Sequence, residues 1–257
     1  MDAGLRGSVA IVTGAGSGIG LAVTRQLADE GAHVVAGDRD PSATRAIDGV
    51  VPVRVDFGDP ESGSLLVRTA IYEFGSVDVV VNNFGVSEHR EGVCSISDED
   101  WVESFDLNFL TAVRTSRAAL PTMTARRRGA LVHIASEAAR TGDPYSTDYN
   151  VSKAALLILS KAIANEFGPY GIRSNTVSPG PTRTPAWDDF GAALAERYEL
   201  PFDDALDHHV REVRKIPLGR MADPEDVAST VVFLASDLAR HVTGSDYRVD
   251  GGAPTSV

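Results

Sequence analysis

The chain has 257 residues, 43% of them hydrophobic, and carries 36 acidic against 24 basic side chains for a formal charge of -12. That length is enough to bury one large core, and that charge repels nucleic-acid phosphates and anionic lipid headgroups, which weighs against both as partners. A single cysteine, Cys94, excludes an intrachain disulfide, no apolar run approaches the ~20 residues that span a bilayer, and the start of the chain lacks the basic-then-apolar pattern of a secretory signal, so a soluble protein of the reducing cytoplasm is expected.

Short β-branched runs alternate with longer helical patterns, the order expected of repeated βαβ units around a parallel sheet. The first run, residues 8–13, leads into Thr13-Gly14-Ala15-Gly16-Ser17-Gly18-Ile19-Gly20 and an amphipathic pattern over 19–30. Glycines permit a tight strand-to-helix turn and let backbone N–H groups approach a pyrophosphate, whose charge suits the positive helix end. A glycine-rich turn alone is a weak signal, and the spacing here is G-x-x-x-G-x-G, carried by Gly14, Gly18 and Gly20; strand, turn and helix in that order give it weight. The second strand, 33–37, ends in Gly37-Asp38-Arg39. A carboxylate ~20 residues beyond the turn accepts hydrogen bonds from the adenosine ribose hydroxyls and repels a 2'-phosphate. Arg39 either pairs with such a phosphate or lies along the adenine face, so Asp38 favours NAD over NADP; a solvated turn with a helix cap is the plainer alternative.

After a short helix near 41–47, the third strand, 51–55, ends at Asp56 and Phe57, where Asp56 either meets the adenine amino group or stands as an acidic turn residue beside Gly58. A helix over 61–74 precedes the fourth strand, 77–82, which runs into Asn83-Phe84-Gly85. One long helix is predicted over 100–127, followed by the fifth strand, 130–135, with Ser136 at its end. The next helix, 149–167, carries Tyr149 and Lys153 one turn apart on the same face. A free phenol has a pKa near 10, too high for a base at neutral pH, and a neighbouring ammonium together with an oxidised nicotinamide ring favours the phenolate. The sixth strand, 172–177, a helix over 224–236 and a last strand at 247–249 complete the rhythm, with no internal repeat or linker to divide the single domain expected over 1–257. Residues 184–217 break that rhythm and read as an inserted helical flap bearing Trp187, Phe190, Tyr198 and Phe202. His208 and His209 point ~100° apart on a helix without convergent partners, so no metal site is expected, and His133 in the fifth strand reads as a satisfied structural histidine.

Taken together, these motifs resemble those of the short-chain dehydrogenase/reductase family over residues 13–252. Residues 13–20 match its cofactor loop, Asn82-Asn83-Phe84-Gly85 its Asn-Asn-Ala-Gly strand end, and Asn108, Ser136, Tyr149 and Lys153 its catalytic tetrad. Pro179-Gly180 matches the nicotinamide-side loop, with Thr182 and Thr184 as amide contacts, and Val249-Asp250-Gly251-Gly252 the last strand and its turn. The resemblance implies an α/β fold, a Rossmann-type doubly wound parallel sheet of seven strands with helices on both faces, assembled as a homotetramer. It implies cofactor contacts from Gly14, Ser17, Gly18, Ile19, Gly20, Asp38, Arg39, Asp56, Phe57, Asn83, Phe84, Gly85, Tyr149, Lys153, Pro179, Gly180, Thr182 and Thr184. Ser136 then hydrogen-bonds the substrate oxygen, Tyr149 moves the proton, Lys153 binds the nicotinamide ribose while lowering the phenol pKa, and Asn108 holds a relay water.

The activity so implied is NAD-dependent interconversion of a secondary alcohol and a ketone, with a small molecule as partner. An NADPH-dependent 3-oxoacyl reductase is the alternative within the family, disfavoured by Asp38, and a catalytically silent NAD-binding sensor or scaffold is the alternative outside catalysis, marked by loss of a tyrosine or lysine that are both present. Two residues depart from the pattern. Phe84 replaces a small alanine and either reshapes the adenine side or fills core volume. Glu137 follows the serine where small or polar residues are usual, and either meets a polar substrate group or is an exposed turn carboxylate.

Overall fold

The computed structural model describes residues 3–253, so the outermost residues of the expected single domain lie outside the described residues. Seven parallel strands form one sheet: β1 (Val9–Thr13), β2 (His33–Asp38), β3 (Val50–Arg54), β4 (Val79–Asn82), β5 (Gly129–Ile134), β6 (Ile172–Pro179) and β7 (Asp246–Val249), in the order β3-β2-β1-β4-β5-β6-β7. The helices are α1 (Gly18–Asp29), α2 (Ser62–Phe74), α3 (Asp98–Phe105), α4 (Thr111–Arg126), α5 (Ala138–Thr141), α6 (Thr147–Phe167), α7 (Asp188–Tyr198), α8 (Phe202–His208) and α9 (Pro224–Ala235).

Successive strand residues point to opposite faces, which gives the sheet two cores. Ala10 and Val12 of β1 join Val23 and Leu27 of α1 and Val231 and Leu234 of α9 on one face. Val9 and Ile11 join Leu66 of α2, Met123 of α4 and Ile163 of α6 on the other. Strands covered on both sides read as continuous apolar runs, and the fully buried VAIVT of β1 is the clearest case. At the edge, β3 is only half covered beside the short 3-10 turn Pro41–Thr44.

The single long helix predicted over 100–127 is instead interrupted. Its start is set by a capping box in which the Ser97 and Asp100 side chains each accept from the other's backbone N–H, and α3 then passes through a π-helical turn, Asp106–Leu110, into α4. Asn108 lies in the middle of this π turn. The strand order reverses between β2-β1 and β4-β5, which opens a crevice at the carboxyl ends of β1 and β4, where open parallel sheets bind ligands. Among the described residues, no helix is long and apolar enough to cross a membrane.

Candidate active site

The glycine turn after β1 is shaped by contacts that no side chain would tolerate. Gly14 and Gly18 have positive φ, of 67° and 50°. A Cβ on Gly20 would overlap the Gly14 carbonyl oxygen, and one on Gly14 would lie 3.0 Å from the Asn83 amide. Asn83 braces this turn: its side-chain N–H groups donate to the Thr13 and Gly14 carbonyls at 2.9 and 3.0 Å. Thr13 returns the tie, its hydroxyl accepting from the Asn83 and Phe84 backbone N–H groups at 3.0 Å. Asn83 therefore fixes the shape of the turn. Ser17, exposed at the N-cap of α1, makes no capping hydrogen bond, and Ile19 packs against the core.

At the end of β2, both Asp38 oxygens accept backbone N–H groups, from Gly16 and Asp40, each at 2.9 Å. Each oxygen retains a second lone-pair site for a ribose hydroxyl. A Cβ on Gly16 would strike the Asp38 carboxylate, so the turn and this carboxylate are in direct contact, whereas Arg39 is exposed. Asp56 is exposed and accepts from Gly58 N–H at 3.0 Å, and Phe57 turns inward, 2% exposed. Phe84 packs on Phe57 with tilted rings whose centroids are 4.4 Å apart, so its bulk lies against the core. The residues present fit a dinucleotide: a glycine cradle at a helix N-terminus, with a carboxylate at the neighbouring strand end.

Beyond β5 the four tetrad residues meet. Asn108, buried in the π turn, accepts from Val86 N–H at 2.8 Å and donates to Ser104 O at 3.0 Å. The buried Lys153 ammonium donates to the Ile134 carbonyl at 2.9 Å and stands 5.4 Å from the centre of the Tyr149 ring. Gly85 separates Lys153 from Asn108: a Cβ there would sit 2.8 Å from Lys153 Nζ and 2.9 Å from Asn108 Oδ1. Tyr149 is hydrogen-bonded to Ser136, and both residues are partly buried, whereas Lys153 and Asn108 are fully so.

Burial pushes the Tyr149 phenol up, the hydrogen bond from Ser136 opposes it, and the Glu137 carboxylate pushes it further up. Lys153 is itself lowered to about 8 by burial. In the chain alone burial is therefore the largest influence on the phenol.

Pro179 ends β6 and Gly180 passes so close to Asp250 that a Cβ would lie 2.8 Å from its Cα. The Thr182 hydroxyl is buried and donates back to Gly180 O at 3.0 Å, which makes it a brace of this loop. Thr184 packs directly over the glycine turn, its methyl 2.9 Å from where a Gly18 Cβ would be. Residues 184–217 then form α7, α8 and a π turn, His209–Val213, around Leu194, Leu206, Val210, Ile216 and Met221. Trp187 and Tyr198 pack on this cluster, while Phe190 and Phe202 are exposed. The segment is pinned by Arg183, bonded to Asp203 and Asp207 at 2.9 and 3.1 Å, and by Arg214, which pairs with Glu137. The Arg214–Glu137 pair spans 77 positions and has no local signal in the sequence.

Comparison with known proteins agrees with this geometry. The family profile described as enoyl-(acyl carrier protein) reductase matches residues 14–254. The chain is 37% identical to an L-rhamnose 1-dehydrogenase (NAD(P)(+)) of Azotobacter vinelandii over 94% of both chains. It is 33% identical to the 3-oxoacyl-[acyl-carrier-protein] reductase FabG of Thermotoga maritima over 96% of this chain and 98% of the relative. The crystal structure of L-sorbose reductase from Gluconobacter frateurii, complexed with NADPH and L-sorbose, superposes with a TM-score of 0.94 at 37% identity over all of both chains. The sheet order, the glycine turn and the relatives that match end to end make the chain a member of the short-chain dehydrogenase/reductase family of oxidoreductases, which act on CH–OH and C=O groups with a nicotinamide cofactor.

Proposed function

We propose that this protein is an NAD-dependent oxidoreductase that interconverts a small secondary alcohol and its ketone, with Asn108, Ser136, Tyr149 and Lys153 as its catalytic residues. The observation that carries the reading is the Tyr149 phenol, bonded to Ser136 beside the buried Lys153 at the carboxyl ends of the strands. The glycine turn, Asp38 and Lys153 hold the cofactor, and bound NAD supplies the hydride acceptor. Ser136 donates to the substrate oxygen and orients it. Tyr149 takes the hydroxyl proton during oxidation and returns it to the ketone oxygen during reduction. Asn108 ties the π turn to the strand-end loop at Val86 and so keeps the wall behind Lys153 in place.

Two of the relatives are named for sugars, which supports a small hydroxylated substrate. They differ on cofactor: one name carries NAD(P)(+) and the other structure holds NADPH. NAD is assigned here because Asp38 is held against the glycine turn, where a 2'-phosphate would meet a carboxylate with both oxygens fixed by backbone N–H groups. Steady-state rates on a panel of secondary alcohols should give a higher kcat/KM with NAD than with NADP. The reverse preference would reject the assignment and make the exposed Arg39 a phosphate ligand.

Assembly as a homotetramer is supported by an apolar groove of about 620 Å³ between α4 and α6, lined by Val113, Leu120, Leu159 and Phe167. Light scattering at micromolar concentration should return a mass above the 27.2 kDa of one chain, and a monomer would overturn this assignment.

A further inference from the structure

Residues 85–95, in the loop after β4, are exposed apart from Gly92 and Arg90, whose side chain is 15% exposed. The Arg90 guanidinium lies among three carboxylates, Asp148 at 2.9 Å, Glu88 at 3.1 Å and Asp100 at 3.5 Å. Its Nε and Nη2 groups both donate to one Asp148 oxygen, Oδ2, at 3.1 and 2.9 Å, and its backbone N–H donates to Tyr145 O at 2.9 Å. Asp148 is 2% exposed, and its other oxygen, Oδ1, is buried without a hydrogen-bond partner. The charge of this buried carboxylate is therefore met at Oδ2 by Arg90, and a buried carboxylate stripped of its cation is strongly unfavourable. Through Asp100 the same guanidinium reaches the start of α3, so Arg90 ties the loop to the first turns of two helices.

Asp148 immediately precedes Tyr149 in the first turn of α6, where successive side chains project ~100° apart, so one meets Arg90 while the next meets Ser136. Ser146, the N-cap, makes no capping hydrogen bond. Its hydroxyl bonds Asn150, and Asn150 donates to Asp143 O, each at 3.1 Å; these bonds stay within residues 143–150 and rotate with the turn. At the ~6 Å radius that side chains reach, about 10° of rotation displaces the phenol by ~1 Å, enough to cost about 10²-fold in rate. We propose that Arg90 is a positioning residue for proton transfer: by holding Asp148 it sets the rotation of the first turn of α6 and so places the Tyr149 hydroxyl. This rests on the reading of Tyr149 as acid/base in alcohol–ketone interconversion.

The test measures kcat with NAD on the secondary alcohol that wild type oxidises fastest, together with NADH affinity and NADH sites per chain from fluorescence titration. Asp148→Ala removes the anchor and leaves Arg90 with Glu88 and Asp100, so it strands no buried charge. It should lose about tenfold or more in kcat per NADH site while the NADH Kd stays within about threefold of wild type. Arg90→Gln should do the same, and Arg90→Lys, which keeps the charge without the paired donors, should fall between it and wild type. Arg90→Gln combined with Asp148→Ala should be within about twofold of the slower single variant, because the two side chains act as one unit. Near-normal kcat in Asp148→Ala, or losses that multiply in the double variant, overturns the role of Arg90. Turnover and NADH sites lost in equal proportion in every variant marks a purely structural pair and overturns it too. Each of these results leaves the alcohol–ketone reading standing. Absence of wild-type turnover on every secondary alcohol and ketone with either cofactor overturns that reading and this inference with it.

Discussion

Replacing Tyr149 by phenylalanine is expected to lower turnover by about 10²-fold or more while NADH binding persists, because the change removes the proposed acid/base and leaves the ring. Tyr149 sits in the first turns of α6, and its hydroxyl is bonded to Ser136. Lys153→Ala should behave differently. The ammonium is anchored to Ile134 O and faces Gly85 beside Asn108; its loss removes the proposed cofactor contact together with the cation, and both NADH affinity and turnover should drop. Stopped-flow or steady-state rates paired with NADH fluorescence titration separate the two outcomes. With the phenolate as the proposed base in oxidation, wild-type oxidation should rise with pH. Burial and Glu137 both hold the free phenol up, so binding of the positively charged oxidised cofactor should move the apparent pKa down from that of the chain alone. Near-normal turnover in folded Tyr149→Phe would end the assignment of this residue as acid/base.

A second large effect is expected from a residue outside the chemistry. His133 is fully buried in β5, and burial first, then the Lys153 ammonium, lower its pKa from 6.5 to about 4. Its ring lies in a chain of polar groups across the sheet: Asn82 Nδ2 is 3.1 Å from Nδ1 and donates to Ser116 at 3.0 Å, while Ser174 Oγ is 3.3 Å from Nε2 and 3.0 Å from Ser160. An amide N–H directed at Nδ1 makes that nitrogen the acceptor and leaves the proton on Nε2, so the ring is held neutral. Between pH 6.5 and 4 the unfolded chain binds a proton at this site that the folded chain refuses, so stability falls as pH drops through that window, by about 3 kcal/mol in all. Losses from carboxylates are common to wild type and His133→Asn and cancel between them. Urea unfolding should therefore show the stability advantage of wild type over His133→Asn shrinking by about 3 kcal/mol from pH 7 to pH 4. A gap that stays constant over this range would show that the imidazole titrates normally.

What the sequence determined by itself rests on short-range geometry. The strand, glycine turn and helix from Val9 to Asp29 were legible because backbone sterics and apolar runs act over a few residues, and the pairing of Tyr149 with Lys153 followed from the helical repeat. The alternation of β-branched runs and helical patterns was enough for a doubly wound parallel sheet, since crossover connections leave few other arrangements. Contacts between distant segments decided the rest. The helix read as continuous over 100–127 breaks into a π turn at Asn108, whose side chain is held by the Val86 N–H from another element, and no local residue announces it. Asn83 shapes the glycine turn 69 positions away, Phe84 belongs to the core because Phe57 is there to meet it, and Glu137 is buried because Arg214 arrives from the far end of an insertion. The direction in which the chain alone moves the Tyr149 phenol was likewise set by the fold. Spacing shows which charges are near a group, but desolvation depends on everything packed around it, and only the folded chain sets that.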